Sequence, residues 1–500
     1  MRRLTSIATV LACAAALGAG CGEDSSSGGA LDTALSYVPA DTPFAIAIDT
    51  DVEGGQYQSL DELLGRFPGG GSVKRMLQQQ LEEGSEGISY QDDIRPLLGN
   101  PFVVSATDAA SFIGSSQEDD DFVAAIQAAD QDALDELVEK TEPDEQGEVA
   151  GATVYQDGDT TFAVEEDMVV FAGSRQLLDS ALERADGDDH LDEESFETSL
   201  EGLPGEALAR IYVDLQALIE QDAGGETARR IEWVSALRTL GITASAEDDS
   251  VDVEFNLRTE GGDLRDEDLP LATGDEAPKV VQRPGEIGFG IRDPSQIAAF
   301  FESAFQSAEP RSFGDYETGK RAIEQQYDID LDEDLFGQLT GDLSVSVAVD
   351  GAFGARAEVE DADAFARTVD RLADALPELG SGLGVTGVSP RGDLYEARLA
   401  GGGRFAFGMS DGVFVVASDA QRARELASRQ PGEVSGASGS LVMSADAEQL
   451  ATQVLEQFAP ELGLGGIFGA GLFTRPLDDL SGSVTTSSEG MRGSFSLTLD

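Results

Sequence analysis

The chain has 500 residues, room for two to four domains at about 100–200 residues each. Its 96 Asp and Glu residues against 32 Lys and Arg residues give a formal net charge of −64, which excludes a general nucleic-acid-binding role because such a surface repels phosphate. Hydrophobic residues make up 41% of the chain, enough for packed cores, which excludes wholesale disorder.

The N-terminus predicts a secretory signal that ends at a lipid-attachment cysteine. Two arginines begin the chain, residues 7–17 form an apolar run, and the small residues 18–20 precede Cys21. The apolar run is too short for a membrane-spanning helix and is typical of a signal peptide. The segment resembles the lipobox of bacterial lipoproteins, with Leu17 one position further from the Cys than usual. This resemblance implies a signal peptide at residues 1–20 and acylation of Cys21; the alternative is an ordinary signal with a chance Cys.

The residues after Cys21 support an anchor. Residues 21–30 are nearly free of apolar side chains and predict a flexible tether. Cys13 leaves with the signal, so the mature chain is expected to have no disulfide and no Cys metal site. We expect an extracytoplasmic protein held to the cell membrane by lipid on Cys21, with no later membrane-spanning segment.

The remaining chain predicts two tandem homologous domains. Strand-like and helix-like segments recur in the same order at a period of about 240 residues, too long for a solenoid. Domain 1 covers residues 31–260, a linker rich in Gly, Asp and Pro covers 261–278, and domain 2 covers 279–500. Each half opens with a short strand ending in Asp, at residues 44–49 and 287–293.

Several blocks of the repeat are regular enough to assign. Each half carries a three-stranded meander, at 152–155, 161–164 and 168–172 and at 394–395, 404–407 and 413–417. Helix N-caps are predicted at Asp130, Asp361, Ser174 and Ser418. Each half ends in a hairpin, 242–246 with 251–257 and 484–487 with 491–499.

These patterns predict the α+β class, with two tandem domains that each contain a mainly antiparallel sheet. The last strand of the first hairpin alternates, with Val251, Val253, Phe255 and Leu257 against Asp252, Glu254 and Asn256. Such alternation indicates one wet face of the sheet. We therefore expect the helices to pack on one face only.

Three segments resemble a family of bacterial envelope proteins. The family carries a domain of unknown function that opens with a Y-[LV]-P-A-D-T-P strand, and Tyr37–Pro43 is similar to that opening. Residues 151–155 and 168–174 are similar to later blocks. The resemblance covers about residues 31–260 and continues loosely in the second half, where Pro284 is the only trace of the opening. It implies a fold and a compartment and carries over no catalytic residue.

The sequence offers little for catalysis or metal binding. His190 is the only histidine and lies in an acidic segment, and no hydrolase, zinc or P-loop motif is present. Residues 328–334 alternate Asp but lack the Gly and Glu of an EF-hand, so weak calcium binding is left open. We predict no enzyme activity, no cofactor and no metal site.

The two halves differ most near the C-terminus. The first half predicts an amphipathic helix around residues 227–240, whereas the second has an uncharged, Gly-rich apolar run at residues 462–473. One interpretation is a buried segment packed under the second sheet. The other is an apolar flap that covers a groove or touches the bilayer, through Leu464, Ile467, Phe468, Leu472 and Phe473.

The preferred functional hypothesis is a lipid-anchored binding or scaffold protein of the bacterial cell envelope without catalytic activity. Its expected partners are the membrane, through Cys21, and a hydrophobic ligand or an envelope protein, but not nucleic acid. One alternative is a periplasmic carrier of a hydrophobic ligand. Another is an envelope hydrolase that uses paired carboxylates, for which a bell-shaped pH profile is the signature.

Overall fold

The computed structural model describes residues 28–68, 70, 87–106, 121–157, 160–221, 224–260, 264–339, 341–379, 384–458 and 474–500. The chain divides into two compact units. Unit 1 comprises Met1–Ala223 and Arg238–Arg258, and unit 2 comprises Gly224–Leu237 and Thr259–Asp500. Each unit combines helices with an antiparallel sheet, which confirms the α+β prediction.

Unit 1 is built on a ten-stranded sheet. The strands are β1 Phe44–Ile48, β2 Phe102–Ala106, β3 Phe122–Gln127, β4 Asp144–Val149, β5 Ala152–Asp157, β6 Thr160–Glu165, β7 Met168–Ala172, β8 Ala209–Asp214, β9 Leu237–Ala246 and β10 Ser250–Thr259. They are ordered β10-β9-β8-β1-β2-β3-β7-β6-β5-β4. From β9 to β4 every neighbouring pair is antiparallel.

The helices of unit 1 cover both faces of this sheet. They are α1 Gly28–Leu35, α2 Gly55–Arg66, α3 Gln131–Thr141, α4 Arg175–Ala185, α5 Glu193–Ser199 and α6 Leu215–Gln221, with a π turn at Tyr90–Ile94 and a 3₁₀ turn at Arg95–Leu97. Along β3, Val123 and Ala125 pack with α1, α4 and α5 on one face. Ala124 and Ile126 pack with α3 and the π turn on the other face.

The prediction that helices pack on one face only is therefore wrong for this sheet. Central strands such as β7, whose five residues are all buried, are continuous apolar runs rather than alternating ones. A strand of this composition requires cover on both sides.

Unit 2 has a second ten-stranded sheet. Its strands are β11 Glu286–Ile291, β12 Leu343–Ala348, β13 Phe353–Ala357, β14 Val385–Arg391, β15 Leu394–Leu399, β16 Arg404–Ser410, β17 Val413–Ala417, β18 Leu441–Asp446, β19 Leu477–Ser487 and β20 Gly490–Leu499. All neighbours are antiparallel in the order β20-β19-β18-β11-β12-β13-β17-β16-β15-β14. Each strand of unit 2 corresponds to the strand of unit 1 whose number is ten lower, and with that correspondence the two sheets have the same strand order.

Helices also cover both faces of the second sheet. They are α7 Gly225–Ala228, α8 Glu232–Ala236, α9 Ser295–Ala308, α10 Pro310–Tyr327, α11 Ala362–Leu379, α12 Ala420–Ser428 and α13 Ala447–Phe458, with short turns at Asp266–Asp268, Leu331–Leu335 and Phe336–Gln338. Ala423 and Ala427 of α12 pack on one face, against β15, β16 and β17. Phe365 and Val369 of α11 pack on the other, against β14, β15 and β16.

Three of the four predicted N-caps are confirmed. The Asp130 carboxylate accepts from Ala133 N at 3.1 Å, the Asp361 carboxylate accepts from Ala364 N at 2.9 Å, and the Ser174 hydroxyl accepts from Leu177 N at 3.3 Å. The N-cap predicted at Ser418 is wrong by one residue. Asp419 caps α12 instead, because its carboxylate satisfies the amides of Gln421 and Arg422 at 2.8 and 2.9 Å.

Two predictions around the first final hairpin are wrong. The helix expected at 227–240 is two short helices, and β9 already begins at Leu237. The alternation of β10 does not separate a wet from a buried face, since Val253 is 38% exposed and Asn256 is 3% exposed. Asn256 is buried because its amide donates to the carbonyls of Ser199 and Glu201, at 3.4 and 3.1 Å.

Strands β4 and β14 lie at sheet edges among the described residues. In β4 all residues but Val149 are exposed, and its register shifts between Glu145 and Glu148. In β14 the register shifts between Val385 and Gly387, and Pro390 lacks the amide that a further strand would need. Among the described helices none is long and apolar enough to cross a membrane.

Candidate functional site

The residues that the sequence analysis proposed for lipidation and for an apolar flap lie outside the described residues. This holds for Cys21 and for the flap residues Leu464, Ile467, Phe468, Leu472 and Phe473. Among the described residues, the most distinctive site is a polar pocket in unit 2.

One wall of this pocket is residues 279–283, which we call the strap. The strap crosses the sheet face formed by β12, β11 and β18. Val281 N donates to Ser344 Oγ at 2.6 Å, Lys279 N donates to Asp342 Oδ2 at 3.0 Å, and Val280 exchanges backbone hydrogen bonds of 2.9 and 2.8 Å with Gly432. The strap is thus fixed at several points.

Two glycines of β11 let the strap lie this close to the sheet. A Cβ on Gly288 would stand 2.1 Å from Gln282 Oε1 and 2.5 Å from Val280 Cγ1. A Cβ on Gly290 would stand 2.9 Å from the Lys279 carbonyl oxygen. The alternating glycines are therefore required by the close approach of the strap rather than by a turn.

The pocket opens between the strap, the segment that follows α12, and β18. It has a volume of about 380 Å³ and is lined by Val280, Val281, Gln282, Arg429, Gln430, Gly432, Glu433, Val434 and Ser444. This volume is near the lower end of the range for small-molecule sites, about 300–1,000 Å³. The pocket is sized for a small ligand.

Its polar groups are only partly satisfied. Gln282 Nε2 lies 3.5 Å from Ser444 Oγ, at the outer limit of a hydrogen bond. Gln282 Oε1 is buried and accepts no hydrogen bond from the described residues. Arg429 NH1 donates to the Gln282 carbonyl at 3.2 Å. Arg429, Gln430 and Glu433 are all exposed residues. A buried acceptor without a donor costs about 1–3 kcal/mol. This oxygen packs against Gly288 of β11, so a ligand in the pocket does not reach it in this arrangement.

The sheet face that carries the strap is unusually polar for a protein interior. Glu286 and Arg422 are 5% and 4% exposed, and their Oε2 and NH2 atoms form an ion pair at 2.8 Å. Ser344 and Ser346 of β12 are also buried on this face. The matching face of unit 1 holds Ala45, Ala47, Val103 and Tyr212 in an apolar cluster.

Sequence analysis did not identify this polar face, although the signal is present. Along β11, Glu286, Gly288 and Gly290 alternate with large apolar residues, and β12 places Ser344 and Ser346 in the same way. Polar and small residues on every second position of a strand indicate a face that is not an ordinary core.

The acidic segment considered for calcium makes several structural contacts. Carboxylates of Glu324, Asp330 and Asp332 lie within 4.8 Å of one another. However, Lys320 Nζ bonds both Asp332 oxygens at 2.7 Å, and Asp330 Oδ1 accepts from Asp332 N and Glu333 N at 3.0 and 2.9 Å. These contacts neutralise Asp332 and make Asp330 a capping residue, so the cluster alone does not define a cation site.

Comparison with known proteins gives a family but no function. A family model described as "Protein of unknown function (DUF3352)" matches residues 4–377. No curated protein matches the chain significantly.

Among solved structures, two crystal forms of TP0453 are similar. The match with form III has 9% sequence identity and a TM-score of 0.26, and it covers 46% of this chain and 82% of the TP0453 chain. The match with form I has 12% sequence identity and the same TM-score, and it covers 46% of this chain and 80% of the TP0453 chain. Likenesses at this level carry no argument about fold or function.

Proposed function

This chain belongs to a family of proteins of unknown function, DUF3352, and from its own residues we propose that it is a non-catalytic, lipid-anchored binding protein of the bacterial cell envelope. The observation that carries the binding role is the polar pocket of unit 2. A concave pocket of small-molecule size with a few polar side chains in its wall is the usual form of a ligand site.

The absence of catalysis is part of the proposal. The pocket residues are Gln, Arg, Glu, Ser and apolar or small residues, and Ser444 Oγ faces the Gln282 amide rather than a base. A serine nucleophile needs a base within hydrogen-bond reach. His190, the only histidine, bonds the Gly187 carbonyl at 3.0 Å in unit 1.

The location rests on the N-terminal sequence. We propose that residues 1–20 are removed and that Cys21 is acylated. The tether expected at residues 21–30 then ends before Gly28, because α1 begins there and buries Ala30, and it holds the chain outside the cytoplasmic membrane. A Cys21→Ala variant is then expected in the soluble fraction after cell lysis, whereas the unaltered chain pellets with membranes. Immunoblots of both fractions measure this, and an equal distribution of the two proteins would contradict the anchor.

The architecture supports a duplication. The ten strands of unit 2 follow the strand order of unit 1 place for place, as expected if one gene segment was copied. We propose that the copies diverged in role, since the face that is apolar in unit 1 is polar in unit 2.

The binding role is tested by native mass spectrometry of the full chain, extracted in detergent from the cells that make it. We expect a bound small molecule on the unaltered protein and its loss from Ser444→Leu, which fills the pocket. Ser410→Leu, at another buried serine of unit 2, is the control for general disturbance. The absence of any bound mass, or its retention in Ser444→Leu, would contradict the proposal.

One observation favours the alternative of a carrier for a hydrophobic ligand. On α9, Phe301 is 66% exposed and Phe305 is 37% exposed, beside Tyr316 of α10 at 43%. Exposed aromatic patches usually mark contacts. Lipid extracted from protein that lacks Cys21 would support the carrier, and its loss on Phe301→Gln would assign it to this patch.

A further inference from the structure

The strand register matches individual positions of unit 1 with positions of unit 2. In unit 1, Ala45 of β1 lies opposite Tyr212 of β8. In unit 2, Gly288 of β11 lies opposite Ser444 of β18. Tyr212 and Ser444 each stand two residues before the Asp that ends their strand. Ser444 therefore takes the place in unit 2 that Tyr212 takes in unit 1.

In unit 1 this place is filled by two aromatic rings. The rings of Tyr212 and Phe196 stack with their centroids 6.2 Å apart and an angle of 29° between their planes. Tyr212 is 5% exposed and Phe196 is fully buried, and both belong to the apolar cluster on this face of the sheet. Phe196 comes from α5, which lies in the chain between α4 and β8. Unit 1 thus closes this place with its own side chains.

In unit 2 neither ring has a counterpart. Ser444 replaces the tyrosine, and residues 429–440, which join α12 to β18, contain no helix and no aromatic residue. The pocket lies at this position, because its walls are the first residues of that connection, the strap and Ser444. The space that the ring pair fills in unit 1 is therefore open in unit 2.

From this match we infer that the pocket binds a small molecule with an aromatic ring, in the place that the rings of Tyr212 and Phe196 fill in unit 1. The inference rests on the proposed binding function and duplication, and it names the ligand class. An apolar cavity of about 150 Å³ can hold benzene, so about 380 Å³ has room for a substituted ring. Val280, Val281 and Val434 provide apolar wall for it. An uncharged ring is not repelled by the net charge of −64.

Isothermal titration of the full chain with p-cresol, the side-chain analogue of tyrosine, tests the inference. We expect saturable binding at one site. 4-Methylcyclohexanol has the same heavy atoms without a flat ring, and we expect it to bind at least about threefold more weakly. Ser444→Tyr restores the residue of unit 1 and is expected to lose p-cresol binding, because its own ring fills the pocket. Ser444→Ala, which stays small, is expected to retain binding.

The reciprocal substitution in unit 1 is an independent test. Tyr212→Ser removes the ring at the matched position, so we expect a second p-cresol site and a stoichiometry that rises from one to two. Tyr395→Ser is the control, since Tyr395 also stacks on a phenylalanine, Phe407, at 5.6 Å and 29°, but in the cluster on the other face of its sheet. Its stoichiometry is expected to stay at one. Circular dichroism shows whether each variant is folded.

The outcomes separate the ligand class from the binding function. If p-cresol does not bind, binds Ser444→Tyr as well as the unaltered chain, or binds no better than 4-methylcyclohexanol, the aromatic class is wrong. A stoichiometry that stays at one in Tyr212→Ser, or that rises in Tyr395→Ser, would contradict the match between the two places. If p-cresol does not bind but Ser444→Leu loses a bound mass, the binding function stands with another ligand class. If neither p-cresol binding nor a bound mass is found, both are wrong.

Discussion

Gly288 shows how one missing methyl group shapes the pocket. Because a Cβ at this position would overlap Gln282 and Val280, Gly288→Ala must displace the strap or distort β11. We expect a loss of about 1–3 kcal/mol in the free energy of unfolding, the usual range for overpacking. Urea unfolding followed by the fluorescence of Trp233, the single and buried tryptophan in unit 2, measures this loss.

Gly314 provides the matched comparison. It lies inside α10, and a Cβ built there meets nothing within 4 Å. Gly314→Ala is expected to stabilise the protein by about 0.5–1 kcal/mol, because Ala restricts the unfolded chain and favours helix. Equal effects of the two substitutions would contradict the role assigned to the strap.

Asp268 makes unit 2 sensitive to acid. Burial alone would raise the pKa of this carboxyl, but hydrogen bonds from Arg265 and Ser303 outweigh burial, and the pKa lies below its ordinary value. The Arg265 Nε and NH2 atoms are each 3.0 Å from it, and Ser303 Oγ is 2.9 Å away. The lowered pKa stabilises the folded state above the unfolded value of about 3.9, and this contribution is lost as the pH falls through the folded pKa.

The pH dependence is measured with Asp268→Asn. At pH 7 we expect the variant to be less stable by about 1.5–3 kcal/mol, the range for a charged hydrogen bond. The difference should shrink as the pH falls below about 4, where the unfolded Asp is protonated. Urea unfolding at a series of pH values gives both curves, and a difference that stays constant down to pH 2 would show that the charge is not responsible.

At the scale of elements, the ion pair of Glu286 and Arg422 joins β11 to α12. Both residues are buried, so removing Arg422 leaves Glu286 with only the more distant guanidinium of Arg283, whose Nε lies 3.8 Å from Glu286 Oε1. Arg422→Met is expected to cost about 3–5 kcal/mol, and the double variant with Glu286→Leu to regain most of that loss. Chemical unfolding of the two single variants and the double variant gives the coupling energy. Strictly additive losses would show that the pair contributes no coupling.

Hairpins and caps were predictable because their signals are local. The meanders β5–β7 and β15–β17 have turn residues between short apolar strands, and the structure extends them by only a few residues. Strand β4, with the sequence DEQGEV, has no apolar pattern of its own and is held by backbone pairing with β5. Strand β9 begins in a segment with helical apolar spacing, where pairing with β8 prevails over local preference.

The pocket was beyond sequence analysis for a different reason. Its walls come from residues 280–282, 429–434 and Ser444, which are far apart in the chain. Only the register of β11 with β18, which places Gly288 opposite Ser444, brings the strap and the serine together. A sequence shows the glycines and serines of these strands but not which of them face each other.

At the scale of the whole molecule, the charge of −64 sets the response to salt. Like charges on a compact chain repel, and salt shortens the screening distance from about 10 Å at 0.1 M to about 3 Å at 1 M. We expect the melting temperature to be higher in 1 M than in 0.05 M NaCl. Differential scanning calorimetry measures it, with sorbitol at equal osmolality as the control for solvent effects. A melting temperature that is unchanged or lower in 1 M NaCl would contradict this.

The edge strands β4 and β14 affect how the protein self-associates at high local concentration. The lipid anchor that we propose on Cys21 would hold copies of the protein in two dimensions, where open strand edges recruit one another into intermolecular sheets. The exposed acids and shifted register of β4, and Pro390 and the shifted register of β14, make both borders poor templates for such recruitment. Strand-to-strand association of crowded copies through these two edges is therefore disfavoured.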